Sequence, residues 1–536
     1  MMITTPHFLK HLTKQDGLCL GAIALITLFI RLPFFFEAVI NWDESTFILM
    51  GESLLDGHLP YTQLWDLKPP LLFVAYALFI LTLGKSILSI RIAGTLCVMV
   101  VAVLVYFCAK TFTQATAACL VAIATALGIS VLSAGQAVMS EHVAIVPLTA
   151  ALAVLFLKPK PGLKATFAIA MLLTTAAFMR LNLGYSVIII GFYISLQHLP
   201  DWTRMVRQAV SYSFGSFFVC FLTFFPYWLT GNSKLWWLSV IVAPLSYSDS
   251  QLGGAQVFSR LKYGLINSSQ DNMIMGITLV LWLGGALGIF LAISPKTKGF
   301  YSRSYPAIAL GLLTISILVS ILETGASHQH YLIQLVPCLG LGFAFLWQKI
   351  SRNSLLDRVL FGLTLVLLLS SLTPIITEYR IVGGRLLAGG PLRVGPAYEI
   401  AAYFQEQAAE GEPIYMMSDH IVYWFLDSEP LTPATTHPST ISREYVLDVL
   451  YGAESSPESE IAKVFAAKPE FVVKERVVRY LLSGEMQPVK TFLERELATH
   501  YDQVAQIDGR LIYRRNEAHP TCLGRGGGVG ANPGLC

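Results

Sequence analysis

The stretch NWDESTFILMGESLLDGHLPYTQLWDLKPPLLF, residues 41–73, sets Asp43, Glu44, Glu52, Asp56, Asp66 and Lys68 among aromatic and aliphatic neighbours. A carboxylate in such surroundings can take the proton of a hydroxyl, and a lysine in the same loop can hold developing phosphate charge. Other groups able to do chemistry lie far along the chain. They are Ser140-Glu141-His142, Arg180-Leu181-Asn182, and the run HQHYLIQLVP with His328, His330 and Tyr331. The two histidines stand two apart, so in an extended loop they point the same way and suit a metal or a phosphate. Residues this scattered act together only if long elements carry them to one place.

Those elements are apolar. The 536 residues are 54% hydrophobic and 13% charged, with a mean hydropathy of +0.60. A soluble chain carries about 25% charged residues. Runs near 20 residues recur from residue 18 to 376, each about long enough to cross a 30 Å hydrocarbon core. This is a polytopic α-helical membrane protein. The net charge of +3 is too small to suggest a nucleic-acid partner. Leu18–Phe36 lacks a small-x-small cleavage site before Asn41 and reads as a retained helix. Six cysteines lie inside apolar runs, and none has metal-ligand spacing.

Counting spans decides which loops share a side. Leu71–Leu83 is about 13 residues, or roughly 20 Å of helix, short for a span and suited to an in-plane or re-entrant segment. Spans are then expected at about 18–36, 87–109, 114–134, 141–157, 164–179, 183–199, 208–230, 272–293, 305–322, 331–347 and 355–376, eleven in all. With a cytoplasmic N-terminus, the cytoplasmic loops hold Lys10 and Lys14, Lys110, Lys158 to Lys164, Arg204 and Arg207, Lys296 to Arg303, and Lys349 to Arg358. That matches the positive-inside bias; letting 71–83 cross would move every later basic loop outside. The opposite face then collects Asp43, Glu44, Asp66, Lys68, Glu141, His142, Arg180, Asn182, Tyr247, Asp249, Arg260, Glu323, His328, His330 and Tyr331. Charges at the ends of spans are expensive to leave at depth, so such residues line water-filled cavities.

After residue 376 the composition becomes charged and mixed. GPAYEIAAYFQEQAAEG reads as a helix stopped by Gly411, PIYMMSD as a strand, SPESEIAKVFAAK as a helix and PEFVVKE as a strand. PVKTFLERELATHY reads as a helix and VAQIDGRLIYRR as a hairpin turning at Asp508-Gly509. Residues 377–517 are thus a small extracytoplasmic α/β domain following the membrane domain of residues 1–376. Residues 518–536 are glycine-rich and disordered by composition. Their Cys522 and Cys536 either pair in an oxidising compartment or belong to an end foreign to the fold.

An acidic pair just after the first span, a following KPPL, a Ser-Glu after the third span and a late HQHYLIQLVP together resemble the GT-C glycosyltransferases. The branch they resemble holds protein O-mannosyltransferases and lipid A aminoarabinose transferases. The resemblance covers roughly residues 18–376 and, more loosely, the α/β domain. It implies a polyprenyl-phosphate-linked sugar donor, a glycan, lipid or protein acceptor, and an in-plane helix in the first outer loop. It also implies a bacterial inner (plasma) membrane, with site and α/β domain on the periplasmic side. By motif position Asp43 matches the catalytic carboxylate, Glu141 the second-loop acid and Lys68 the phosphate-facing lysine. In one departure, Leu67 stands immediately before the lysine where relatives often have an acid, and Asp66 lies one residue further back.

The chemistry agrees with that resemblance on its own terms. A polyprenyl tail loses about 0.8 kcal/mol per methylene on leaving the bilayer, so the site must sit at the membrane interface. A phosphate monoester, with a second pKa near 6, departs without a general acid. The reaction needs one base, Asp43 or Glu44, and cations, Lys68 with Arg180. The remaining acids are free to orient the acceptor or bind a divalent metal. The alternative is a lipid-linked sugar flippase without transfer chemistry, which would place ionisable residues near the midplane in paired repeats. Neither feature is visible. The orientation is testable: a reporter active only outside the cytoplasm, fused after Asn516, is expected to be active. A reporter working only in the cytoplasm reverses the assignment of every loop.

Overall fold

A computed structural model describes residues 12–249, 255–262, 275–293, 304–323 and 328–516, apart from Arg352, Ala408, Glu410 and Ala453. The glycine-rich tail, with Cys522 and Cys536, lies outside the described residues, as do the side chains of Tyr247 and Asp249. Each expected span coincides with a helix, beginning with Lys14–Arg31, Ile87–Lys110, Ala115–Val131 and Ser140–Leu157. Helices are required there because hydrocarbon offers backbone groups no other partner. Seven helices of the described residues are long and apolar enough to cross a membrane, or eight if the bent pair Ser354–Ser370 and Thr373–Leu387 counts as one. Ala115–Val131, Leu163–Ala177 and Leu181–Leu196 are shorter. The protein is a multi-pass helical membrane protein with a small sheet-bearing domain after the spans.

Burial ranks the helices. The segment Gln329–Ile350 is central, with 94% of its apolar window buried, whereas Trp202–Leu229 is peripheral at 22%. Small residues let the central helix approach its neighbour: a Cβ on Gly288 would meet the Gly342 carbonyl at 1.8 Å. Close backbone contact of this kind is how helices associate where lipid competes for every apolar face.

The loop after the first span is itself two helices, Trp42–Leu55 and Pro70–Leu83. Asn41 caps the first by accepting from the Asp43 amide at 3.0 Å. This puts Asp43 and Glu44 in the first turn, where the helix dipole favours carboxylates. Pro70 opens the second helix at a position where its missing N–H is not needed. At 14 residues it is too short to cross, as its length in the sequence anticipates. The two helices fold back on each other around Gly51.

Four strands close the C-terminal domain: β1 (Ile414–Met416), β2 (Phe471–Glu475), β3 (Tyr501–Ile507) and β4 (Arg510–Arg515), in the order β1-β2-β4-β3. β1 pairs parallel with β2, while β4 is antiparallel to both β2 and β3. Asp508 and Gly509 both have positive φ, 42° and 78°, the conformation a two-residue hairpin turn requires. Helices Pro396–Glu406, Pro457–Ala466 and Gln487–His500 fall where expected, though the first ends five residues before Gly411. Between β1 and Pro457–Ala466 the chain forms short segments that periodicity did not resolve, the helices Val422–Phe425 and Glu444–Tyr451 and the 3-10 turns Pro433–Thr435 and Pro438–Ser442. The domain is tied to the first span by backbone bonds of Val394 with Phe36 (3.0 Å) and Ala38 (2.9 Å).

A Cβ at Gly51 would lie 2.8 Å from that of Tyr76 and 3.0 Å from the Ala77 nitrogen. Gly51→Ala is expected to force the helices of the first loop apart and cost about 1–3 kcal/mol, the usual penalty of overpacking. Gly17→Ala, with nothing within 4 Å, is the control. Equal thermal midpoints for the two in detergent would show that the helix pair tolerates separation.

Candidate active site

The amino end of Trp42–Leu55 is anchored by Glu44. Its side chain is buried, forms an ion pair with Arg91 near the start of Ile87–Lys110, and accepts the Val138 amide at 2.9 Å. Arg31 secures the same loop from beneath, donating to the carbonyls of Gly135 (2.7 Å) and Gln136 (3.0 Å). Three helices and the 132–139 loop therefore meet at fixed positions. Glu44, a candidate base in the sequence, is committed to this junction.

Its neighbour Asp43 faces the other way. His437, from the C-terminal domain, has its Nδ1 accepting the Ser439 amide at 3.3 Å, so Nε2 carries the proton and donates to Asp43 Oδ1 at 3.2 Å. Burial alone would raise the Asp43 carboxyl. The His437 hydrogen bond and the charge of Lys68 outweigh it, so the group lies well below the usual carboxylate range. Asp43 nevertheless remains partly open, at 24% exposure. The His437 segment is seated by further bonds: His420 Nε2 meets Thr46 Oγ1 at 2.8 Å, and Thr436 Oγ1 accepts the Trp65 amide at 3.2 Å. Burial and the nearby His437 push the His420 imidazole far down, so it stays neutral.

Lys68 is presented by its loop. Asp66 accepts the Lys68 amide at 3.0 Å, the local turn that an aspartate makes with the residue two ahead, and Tyr61 donates to the Lys68 carbonyl at 2.6 Å. The ammonium stands 5.8 Å over the Phe47 ring and makes no ion pair among the described residues. Asp66 thus shapes the loop.

Glu141 opens helix Ser140–Leu157 and is buried. Arg180 Nη1 lies 2.9 Å from its carboxylate and donates to Ser140 Oγ at 2.9 Å, while the guanidinium covers the Tyr331 ring at 4.1 Å. His330 Nε2 is 3.8 Å from Glu141. The histidine run is not extended: a 3-10 segment, Gln329–Leu335, buries His330 and Tyr331, yet the His328 and His330 rings still stack with centroids 5.4 Å apart. Asn182 is occupied by Ser320 (2.9 Å) and Gln334 (3.0 Å).

His330 joins the two groups, since the charges of Glu141, Arg180, Asp43 and Lys68 all act on it. Asp43, Lys68, Glu141 and Arg180 thus lie within electrostatic range of one histidine. Each carboxylate of the site has a hydrogen-bonded or cationic partner. Among the described residues, no group of three histidine, cysteine or acidic side chains could hold an ion. Sequence reasoning missed His437 and Arg91. His437 sits in a run without periodicity, 394 residues from the carboxylate it touches, so no local signal marks it.

Comparison with family models and with curated proteins finds no match. Two crystal structures of ArnT from Cupriavidus metallidurans superpose on the chain at 14% identity, each alignment covering 93% of this chain and 97% of that one. The TM-score is 0.58 for the apo state and 0.60 for the form bound to undecaprenyl phosphate. The chain has the GT-C fold. The oligosaccharyltransferase AglB from Archaeoglobus fulgidus, in complex with an inhibitory peptide and a dolichol-phosphate, is similar at a TM-score of 0.50 and 12% identity, over 96% of this chain and 75% of that one. On the GT-C fold the architecture expected from the acidic pair and KPPL is borne out.

Removing one member of a buried ion pair leaves an uncompensated charge and costs about 3–5 kcal/mol, whereas replacing both by apolar groups costs far less. Glu44→Gln is therefore expected to lower the thermal midpoint strongly, and Glu44→Leu with Arg91→Met to recover much of the loss. A Glu44→Gln protein of parental stability that loses only turnover would return Glu44 to the chemistry.

Proposed function

We propose that this protein is a membrane glycosyltransferase that moves a hexosyl or pentosyl group from a polyprenyl-phosphate donor to an acceptor hydroxyl on a lipid, glycan or protein. Asp43 is the general base and Lys68 the principal phosphate contact. The observation that carries this reading is the meeting of a partly open carboxylate and an uncommitted ammonium around His330, at the end of a helix bundle where a lipid-borne donor can stay in the bilayer. The GT-C fold supports it, since one of the ArnT structures holds undecaprenyl phosphate. We assign the bundle, residues 1–376, the reaction, and residues 377–517 the cover that brings His437. The basic loops favour the non-cytoplasmic side for the site, and the resemblance favours a bacterial inner membrane, which makes that side periplasmic.

In the reaction the anomeric carbon–phosphate oxygen bond breaks and the acceptor oxygen bonds to that carbon. The acceptor proton passes to Asp43, and the electron pair of the broken bond leaves on the phosphate. A carboxylate held this acidic is a weak base toward a free alcohol. It is matched to a transition state in which bond breaking leads, because the hydroxyl becomes acidic only as it meets an oxocarbenium-like carbon. Lys68 and Arg180 offset the departing phosphate. Arg180 is shared with Glu141, so Lys68 is the stronger contact. His437 is a positioning residue, orienting the Asp43 carboxylate through Nε2.

Asp43→Asn is expected to lower release of free polyprenyl phosphate in the presence of acceptor by the 10²–10⁴-fold typical of general-base loss, with donor binding nearly intact. His437→Phe should move the acid limb of kcat/KM upward, because the strongest group lowering the Asp43 pKa is gone. Lys68→Ala should weaken donor binding by about 1.5–3 kcal/mol and more than Arg180→Ala. An inserted Asp43→Asn protein working at the parental rate removes Asp43 from the mechanism. Donor translocation without any sugar transfer would establish the flippase alternative.

A further inference from the structure

A second polar site lies away from Asp43, Lys68 and His330. Where the outer end of the first span, the start of helix Ile87–Lys110 and the C-terminal domain converge, a cavity of about 550 Å³ is lined by Phe35, Phe36, Lys85, Arg393, Gln405 and Asp427, among others. Its size is that of a small-ligand site. A neighbouring groove of about 200 Å³ lies between the first two spans, lined by Ala24, Leu25, Leu28, Thr95, Leu96 and Met99, among others, and presenting apolar surface. Phe35 lines both. From Leu88 at the cavity to Met99 in the groove the helix rises roughly 16 Å, half the thickness of a hydrocarbon core.

Polarity at one end and hydrocarbon lining at the other describe a lipid. The charges say which head. Lys85 is engaged by Glu52 at 2.9 Å and by Asp427. Arg393 makes no ion pair among the described residues; its guanidinium stands over the Tyr398 ring at 6.0 Å and is exposed. One uncommitted cation matches the single negative charge of a phosphodiester. A free polyprenyl phosphate, a monoester, carries up to two charges and calls for a second cation, whereas the sugar-linked donor is itself a diester and is set apart by its place at Lys68. Leu88 and Leu392 on the cavity wall are exposed, at 43% and 39%, so the site opens sideways.

We propose that this cavity and groove hold a phosphodiester-headed membrane phospholipid, its phosphate on Arg393 and one acyl chain between the first two spans. Such a lipid would brace the C-terminal domain against the bundle beside its backbone tie to the first span, since Phe36 takes part in both.

The test is native mass spectrometry of the full chain in detergent, with added phosphatidylglycerol, diacylglycerol of the same chains, or undecaprenyl phosphate. One phosphatidylglycerol per chain is expected to survive desolvation, and diacylglycerol to be lost. Arg393→Gln and the groove-filling Leu96→Trp should each weaken retention at least fivefold. Arg393→Lys should restore most of it, and Lys68→Ala should leave it unchanged. Arg393 is exposed, so its variants do not depend on refolding a core. Equal retention of diacylglycerol, indifference to either weakening variant, or loss of the adduct in Lys68→Ala would overturn the proposal. Lysis of the adduct only by excess undecaprenyl phosphate would place the lipid in the donor site and overturn it as well.

Discussion

The carboxylate of Glu44 and the guanidinium of Arg91 meet where both are almost wholly shielded from water, and the same carboxylate receives the amide of Val138. An ion pair without solvent tolerates little displacement, because either partner alone would be a bare buried charge. That intolerance is useful here. It holds the first turn of Trp42–Leu55 to the second span and to the loop before Ser140. Asp43 and Glu141, nearly a hundred residues apart, are thereby held within the reach of one histidine. The rest of the site follows from this junction.

Charged residues at this end of the bundle divide into committed and available groups. Glu44 with Arg91, Arg31 with the carbonyls of the 132–139 loop, and Lys85 with Glu52 hold the architecture. Asp43 keeps part of its carboxylate open, and Lys68 keeps its ammonium free of ion pairs among the described residues. Arg180 lies between the classes, paired with Glu141 but stacked on Tyr331 at the edge of the site. The proposed transfer, which moves negative charge onto a phosphate, needs such division. Cations locked into structural pairs would offer little further stabilisation to a departing oxyanion.

The C-terminal domain reaches the first loop with its own side chains. Its irregular stretch between β1 and β2 supplies His437 to Asp43 and His420 to Thr46, and both contacts cross from one domain to the other. Regular elements of the domain, the four strands and their helices, stay away from the chemistry and hold this stretch in place. Functional residues commonly sit on irregular segments carried by a rigid scaffold, the placement that His437 has here.

Hydropathy alone determined that this chain crosses a membrane repeatedly, because a run of twenty apolar residues has no other stable place. The hairpin at Asp508-Gly509 was equally legible, since it depends on a few consecutive residues. The acidic pair, Lys68 and HQHYLIQLVP could be named as candidates from residue type and position. Only the tertiary structure decided that Glu44 is an anchor while Asp43 is open, since adjacent residues on a helix face in different directions and burial is set by what packs there. It alone supplied Arg91 and His437, whose contacts span 47 and 394 residues. Such pairings arise from how helices and domains close on one another, and no local pattern in the chain carries that information.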